Sequence, residues 1–168
     1  MVTVVEGVLC LLLSAIIHAL KIGVILQARA GIAGVIDTEK KIIIEKSAIE
    51  FSVEYYLDQG YDVQSVESEN IGYDLIASKG KIQLYIEVKG TSTKSIDDIN
   101  VALTPNEYVT SIRNCRKYRI VIVYDALISP KLLEFFWVSQ EEAWFSEQSL
   151  TYLNIIEKTS ANLTIENG

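Results

Sequence analysis

Apolar and polar residues change period several times along the chain, and each change marks an element. Residues 7–26, GVLCLLLSAIIHALKIGVIL, are apolar almost throughout, with Lys21 the single Lys, Arg, Asp or Glu. Twenty such residues suffice to cross a bilayer. Glu6 precedes the run, and Lys21 and Arg29 lie towards its far end. The positive-inside rule would then leave all that follows in the cytoplasm. The basic n-region of a signal peptide is missing. A buried or dimer-forming helix is the competing reading. QARAGIAGVIDT (27–38), with Gly31 and Gly34, reads as a linker. The expected organisation is an apolar helix and linker over 1–36 and a domain over 37–168.

Helical spacing begins near residue 38. Asp37 or Thr38 can cap a helix that runs to about Gln59, with Gly60 as the C′ residue. Its apolar stripe is Ile44, Ala48, Phe51 and Tyr55, widened by Ile49, Ser52 and Tyr56. Glu45 is the one acid in that arc. A carboxylate on a buried face needs a partner, a metal or a wet cleft. Alternatively it snorkels to water or pairs with Lys41.

The period then falls to two. YDVQSVE (61–67) alternates as a strand, SENIG (68–72) is a loop, and two strands follow at about 73–78 and 81–89. In KIQLYIEVK, Ile82, Leu84, Ile86 and Val88 share one face, and Lys81, Gln83, Tyr85, Glu87 and Lys89 the other. A two-residue turn at Gly80-Lys81 suits type II′. Pairing Lys79 with Ile82 sets Leu75 and Ala77 against Ile86 and Leu84, so the apolar faces agree. That register places Asp74 opposite Glu87, on the same side as Lys89.

TSTKSIDDINVAL (91–103) predicts a loop or short strand. Thr104-Pro105-Asn106-Glu107 is a capping box with Pro at the first helical position, opening a helix that ends near Cys115. YRIVIVYDA (118–126) is apolar on both faces, as a central strand is. KLLEFFWV (131–138) predicts a strand, and SQEEAWFSEQS (139–149) a short helix capped by Ser139. LNIIEK and NLTIEN predict a closing hairpin. The order is α-β-β-β-α-β with C-terminal additions.

Composition narrows the function. One His, His18, lies inside the apolar run, so a catalytic His elsewhere is excluded. Cys10 and Cys115 have neither disulfide-framework nor zinc spacing, as expected in a reducing, cytoplasmic setting. No Walker loop, nucleophile elbow or dinucleotide fingerprint occurs. The net charge is −7, yet residues 79–119 carry +4 and the remainder −11. Lys94, Arg113, Arg116 and Lys117 therefore suggest a phosphate-binding face around the hairpin, against the plainer reading of a solvated charge run.

Two carboxylates facing each other repel unless a cation lies between them. Mg²⁺ (or Mn²⁺) prefers oxygen ligands. Asp74, Glu87 and the main-chain carbonyl of Val88 supply three. Lys89 could orient or help deprotonate an attacking water and steady developing charge. Gly90, lacking a side chain, would let a phosphate backbone approach. Such a site would hydrolyse a phosphodiester. Against it stand the ordinary wet face of a hairpin and a structural cation site.

Glu45-Lys46-Ser47-Ala48, Gly60, GYDL (72–75), IEVKGT (86–91), LTPNEY (103–108) and YRIVIVYDA together resemble the NO VEIN C-terminal domain, of the PD-(D/E)xK nuclease-like superfamily. The resemblance covers about residues 40–130. It implies a restriction endonuclease-like αβββαβ core, with a mixed central sheet flanked by helices. It implies a Mg²⁺-dependent endonuclease acting on DNA in restriction, defence or repair, or a non-catalytic binding module of the same fold. The family's metal-binding Asp and Glu map to Asp74 and Glu87 and its Lys to Lys89. The helix-borne Glu of the Holliday-junction resolvase-like branch maps to Glu45. Gly72-Tyr73 stands where a Pro often precedes the Asp. Such nucleases often dimerise, so a homodimer is a further expectation.

Overall fold

The computed structural model describes residues 33–157. The chain divides between Lys40 and Lys41 into two compact units. Of the first, the described residues 33–40 are helical. The expected anchor at 7–26 lies outside the described residues. Among the described residues, no helix is long and apolar enough to cross a membrane.

The elements are helix α1 (Ala33–Asp58), strands β1 (Asp62–Ser65), β2 (Leu75–Lys79) and β3 (Ile82–Gly90), helix α2 (Pro105–Arg113), and strands β4 (Tyr118–Tyr124), β5 (Lys131–Val138), β6 (Ala143–Ser146) and β7 (Thr151–Tyr152). Short 3₁₀ turns fall at Glu67–Glu69 and Ile96–Asp98. The seven strands form one mixed sheet in sequence order. Only the β3–β4 pair is parallel, with α2 as its crossover. The protein is thus a mixed α/β fold, and the α-β-β-β-α-β order is as read from the pattern.

Helix α1 starts before the expected cap at Asp37 or Thr38, which lie inside it. Its C-terminus is as expected. Gly60 sits at φ +79° and donates to the Leu57 carbonyl, while Tyr61 donates to that of Tyr56. These are the two bonds of a Schellman motif. The tight β2–β3 register is found, with Lys79 paired to Ile82, Ala77 to Leu84 and Leu75 to Ile86. Gly80, at φ +61°, supplies the turn conformation that L side chains avoid.

The sheet buries a different cluster on each face. Ile44, Ala48 and Tyr56 of α1 pack with Leu75, Ala77, Leu84, Ile86, Val88, Val121 and Val123. Tyr118, Ile120, Ile122, Leu133, Phe135 and Trp144 fill the other face, with Tyr73, Tyr85 and Leu103 against them. Strand β4 contributes to both, as its unbroken apolar run requires. Ser47 Oγ donates to the Ala126 carbonyl at 2.6 Å and ties α1 to the turn after β4.

The expected helix at 139–149 is absent. Residues 143–146 form β6, paired with β5 through Trp137↔Trp144 and Phe136↔Phe145. Burial alternates there, Trp144 and Ser146 inward. Glu142, inside the expected span, takes positive φ, which interrupts a helix there. Trp144 packs edge-on against Tyr118 and Trp137, with ring centroids 6.0 and 5.5 Å apart. Burying that indole against the sheet outweighs a local capping signal. The expected final hairpin is not formed within the described residues. Leu153–Glu157 carry no regular structure, and 158–168 lie outside the description.

Candidate carboxylate–lysine site

Asp74 sits one residue before β2, and the regular register, which would set it opposite Glu87, stops at Leu75↔Ile86. Its main-chain N–H donates to the Ile86 carbonyl at 2.9 Å, and its carbonyl accepts from Val66 at 2.8 Å. The preceding loop is pinned from two sides. Tyr73 stacks on Tyr85 at 4.6 Å between centroids, and the buried Tyr118 hydroxyl donates to the Gly72 carbonyl at 2.7 Å. Gly72 is at φ +92°, and a Cβ there would lie 2.5 Å from Thr110 Oγ1. The glycine therefore lets this loop lie directly on α2.

The carboxylate of Asp74 accepts the Val88 N–H through Oδ2 at 2.8 Å. Strand geometry explains why. Tyr85 and Thr91 donate towards β4, so the alternate residues Ile86 and Val88 face β2. The ladder with β2 ends at Leu75↔Ile86. The Asp74 side chain thus satisfies the N–H that β2 no longer reaches. By the same alternation the Val88 carbonyl points to the β2 side, past the last pair of the ladder.

Glu87 is 2% exposed. Its Oε1 lies 2.7 Å from Lys89 Nζ, while Oε2 is buried without a hydrogen-bond partner. Burial, reinforced by the Asp74 charge, pushes its carboxyl up to about 8. Burial likewise raises Asp74, against the Val88 N–H and the Lys89 ammonium, which lower it. The Lys89 ammonium also lies 2.7 Å from Glu107 Oε2. Burial works against its charge, but the two glutamates prevail and raise its pKa. Burial disfavours the Glu107 charge as well. The Lys89 and Thr104 hydrogen bonds outweigh it and hold Glu107 below the usual range. In the buried Tyr118, burial and then the Glu87 charge hold the hydroxyl well above its ordinary pKa.

The structure therefore brings Asp74, Glu87, Val88 and Lys89 together. Glu45 is not joined to them. It is exposed and makes no hydrogen bond or ion pair with Asp74, Glu87 or Lys89. Of the two readings of Glu45, the solvent-facing one is found, for a geometric reason. The buried line Ile44, Ala48, Ser52, Tyr56 advances by four residues, and each step overshoots a full turn by about 40°. The buried face winds around the helix, so Glu45 shares an angle with Ser52 without sharing its burial.

Gly90 has a packing role. A Cβ there would lie 2.8 Å from Ile44 Cγ2 and 2.9 Å from Ala48 Cβ. The missing side chain admits α1. The basic residues divide. Lys79 donates to the Gln59 carbonyl at the end of α1, and Arg119 pairs with Glu134 at 3.4 Å. Arg113, Arg116 and Lys117 are exposed together beside the start of β4. Lys94 is exposed past the other end, next to Thr93, which accepts the Asp125 N–H. Tyr118 pairs with Tyr85 and Val123 with Gly90, so these ends are on the order of 15–20 Å apart. They do not form one face around Glu87.

Pattern reading missed the contact of Glu107 with Lys89. The signal was present in the capping box, which accounts for one use of that carboxylate and conceals the other.

For a divalent cation, the two carboxylates and the Val88 carbonyl are hard oxygen donors, and the unpartnered Glu87 Oε2 is a donor held in reserve. No third metal-ligating side chain joins them among the described residues. The donor set fits a cation completed by water or substrate oxygens.

A mixed α/β sheet carrying paired carboxylates and a lysine is the class of protein this geometry defines. The family described as Protein NO VEIN, C-terminal, matches residues 44–136, and the chain belongs to that family. No curated protein and no solved structure matches.

Proposed function

We propose that the protein is a Mg²⁺-dependent (or Mn²⁺-dependent) endonuclease of the PD-(D/E)xK type that hydrolyses DNA phosphodiester bonds, in restriction, defence or repair. The observation that carries the reading is the buried, unpartnered Glu87 Oε2, in a carboxyl whose charge Asp74 opposes, beside the Lys89 ammonium. Such a group is costly in a purely structural hairpin, and a site built for a cation explains it. Asp74, Glu87 and the Val88 carbonyl would hold the ion. When bound, it supplies Lewis-acid polarisation and lowers the pKa of water. Lys89 orients the attacking water and offsets charge developing on the phosphate. Asp74 doubles as the clamp on the Val88 main chain, so ligand and carbonyl move as one unit.

A second reading is a binding module of the same fold without cleavage, recruited to nucleic acid or a partner protein. The observation that favours it is the Lys89 amine, held by two carboxylates at 2.7 Å. Incubation of supercoiled plasmid and branched DNA with Mg²⁺ or Mn²⁺ separates the two. The nuclease reading expects nicking by wild type and none by Asp74→Ala. Equal products from both, or none from either, would leave only the binding module.

A further inference from the structure

Glu107 stands outside the metal-binding pair, yet it touches the lysine as closely as Glu87 does. Its Oε2 accepts the Thr104 N–H at 2.9 Å and lies 2.7 Å from Lys89 Nζ. The Thr104 side chain returns the bond, accepting the Glu107 N–H at 3.3 Å. The capping box thus fixes the Glu107 rotamer, and the fixed carboxylate reaches across to β3. We infer that Glu107 is a positioning residue for Lys89, so that the capping box of α2 is the support that aims the amine at the substrate.

The inference rests on the nuclease reading of the Asp74–Glu87–Lys89 group, and its reasoning is electrostatic. Lys89 and a divalent cation compete for Glu87, because an ammonium and a metal ion repel at one carboxylate. With Glu87 committed to a cation, Glu107 would be the carboxylate left in contact with the amine. Without it a long, flexible side chain is released just when it must be held. Thr104-Pro105-Asn106-Glu107 then serves twice, as a helix start and as a lysine rest.

The substitution Glu107→Gln separates the two uses. Glutamine at this position also completes a capping box, but it offers Lys89 no charge. In plasmid cleavage by the full chain, Glu107→Gln should lower kcat at least tenfold, with KM for DNA within twofold. Thr104→Ala, which loosens the cap that fixes the Glu107 rotamer but keeps its carboxylate, should lower kcat by less than Glu107→Gln does. A second readout needs no activity. Amine acylation by an N-hydroxysuccinimide ester, mapped by peptide mass spectrometry, should find Lys89 protected in wild type. It should react at least several-fold faster in Glu107→Gln, with Lys81 unchanged. Wild-type kcat together with wild-type Lys89 labelling in Glu107→Gln would overturn the positioning role. Absence of cleavage by wild type with the labelling change intact would count against the nuclease reading alone.

Discussion

The Val88 N–H donates to Asp74 Oδ2 at 2.8 Å, so the strand that carries Glu87 and Lys89 is fastened to the carboxylate it faces. The last main-chain pair of β2 and β3 is Leu75↔Ile86, and the Asp74 side chain extends the ladder one step beyond it. A residue proposed as a metal ligand is therefore also part of the sheet.

That double use predicts a stability difference between two substitutions at one position. Asp74→Ala leaves the Val88 N–H without an acceptor, at a cost of about 1–3 kcal/mol. Asp74→Asn keeps an oxygen in place and should recover most of that loss. Both should abolish cleavage. Urea denaturation of the three proteins, followed by circular dichroism, checks the ordering wild type, Asn, Ala.

Glu87 makes the metal-free protein sensitive to pH. Its folded pKa, about 8, stands above the ordinary carboxylate value of 4.5. The folded state then binds the proton more tightly than the unfolded one. This contribution is complete below pH 4.5 and is lost as pH rises towards 8. In EDTA, Tm should fall across that window, and Glu87→Gln should flatten the fall. On the proposed reading Mg²⁺ would bind the charged form, so it should restore Tm most at the alkaline end. A thermal scan at each pH, with and without Mg²⁺, reads both effects.

At Gly90 the prediction concerns packing. Alanine there would press on Ile44 and Ala48, with gaps of 2.8 and 2.9 Å to their side chains. Helix α1 must shift, at a cost of about 1–3 kcal/mol. Gly80→Ala meets no neighbour within 4 Å and is strained only by its φ of +61°, so its loss should be nearer 1 kcal/mol. Comparison of the two midpoints in urea tests the ranking.

On the nuclease reading, charge reversal tests which basic group would meet DNA. Arg113, Arg116 and Lys117 are exposed side by side, whereas Lys94 lies at the opposite end of the parallel strands. If the first group contacts phosphates, replacing all three by Glu should reduce the slope of log affinity against log salt by about 2–3. Lys94→Glu should change it by about 1 or less. Fluorescence anisotropy of labelled duplex over a salt series gives the slopes. Unchanged slopes in the triple variant would remove these residues from the interface.

Local periodicity and turn chemistry were sufficient for most of the fold by themselves. The β2–β3 register follows because a slip of one residue would turn Leu75, Ala77, Leu84 and Ile86 to the wrong face. The start of α2 follows from Thr104 and Glu107, and the end of α1 from Gly60. Asp74, Glu87 and Lys89 share a side of one hairpin for the same reason. Tertiary structure alone decided the rest. Residues 143–146 became a strand because Trp144 is buried against Tyr118, a partner 26 residues away in the chain. Glu45 left the site because the buried line winds around α1. Glu107 entered it because the crossover between β3 and β4 brings the start of α2 over Lys89. Short-range pattern fixes which way a side chain points from its own element. Which side chains meet across elements depends on how helices lie on the sheet, and that is settled only when the two cores pack.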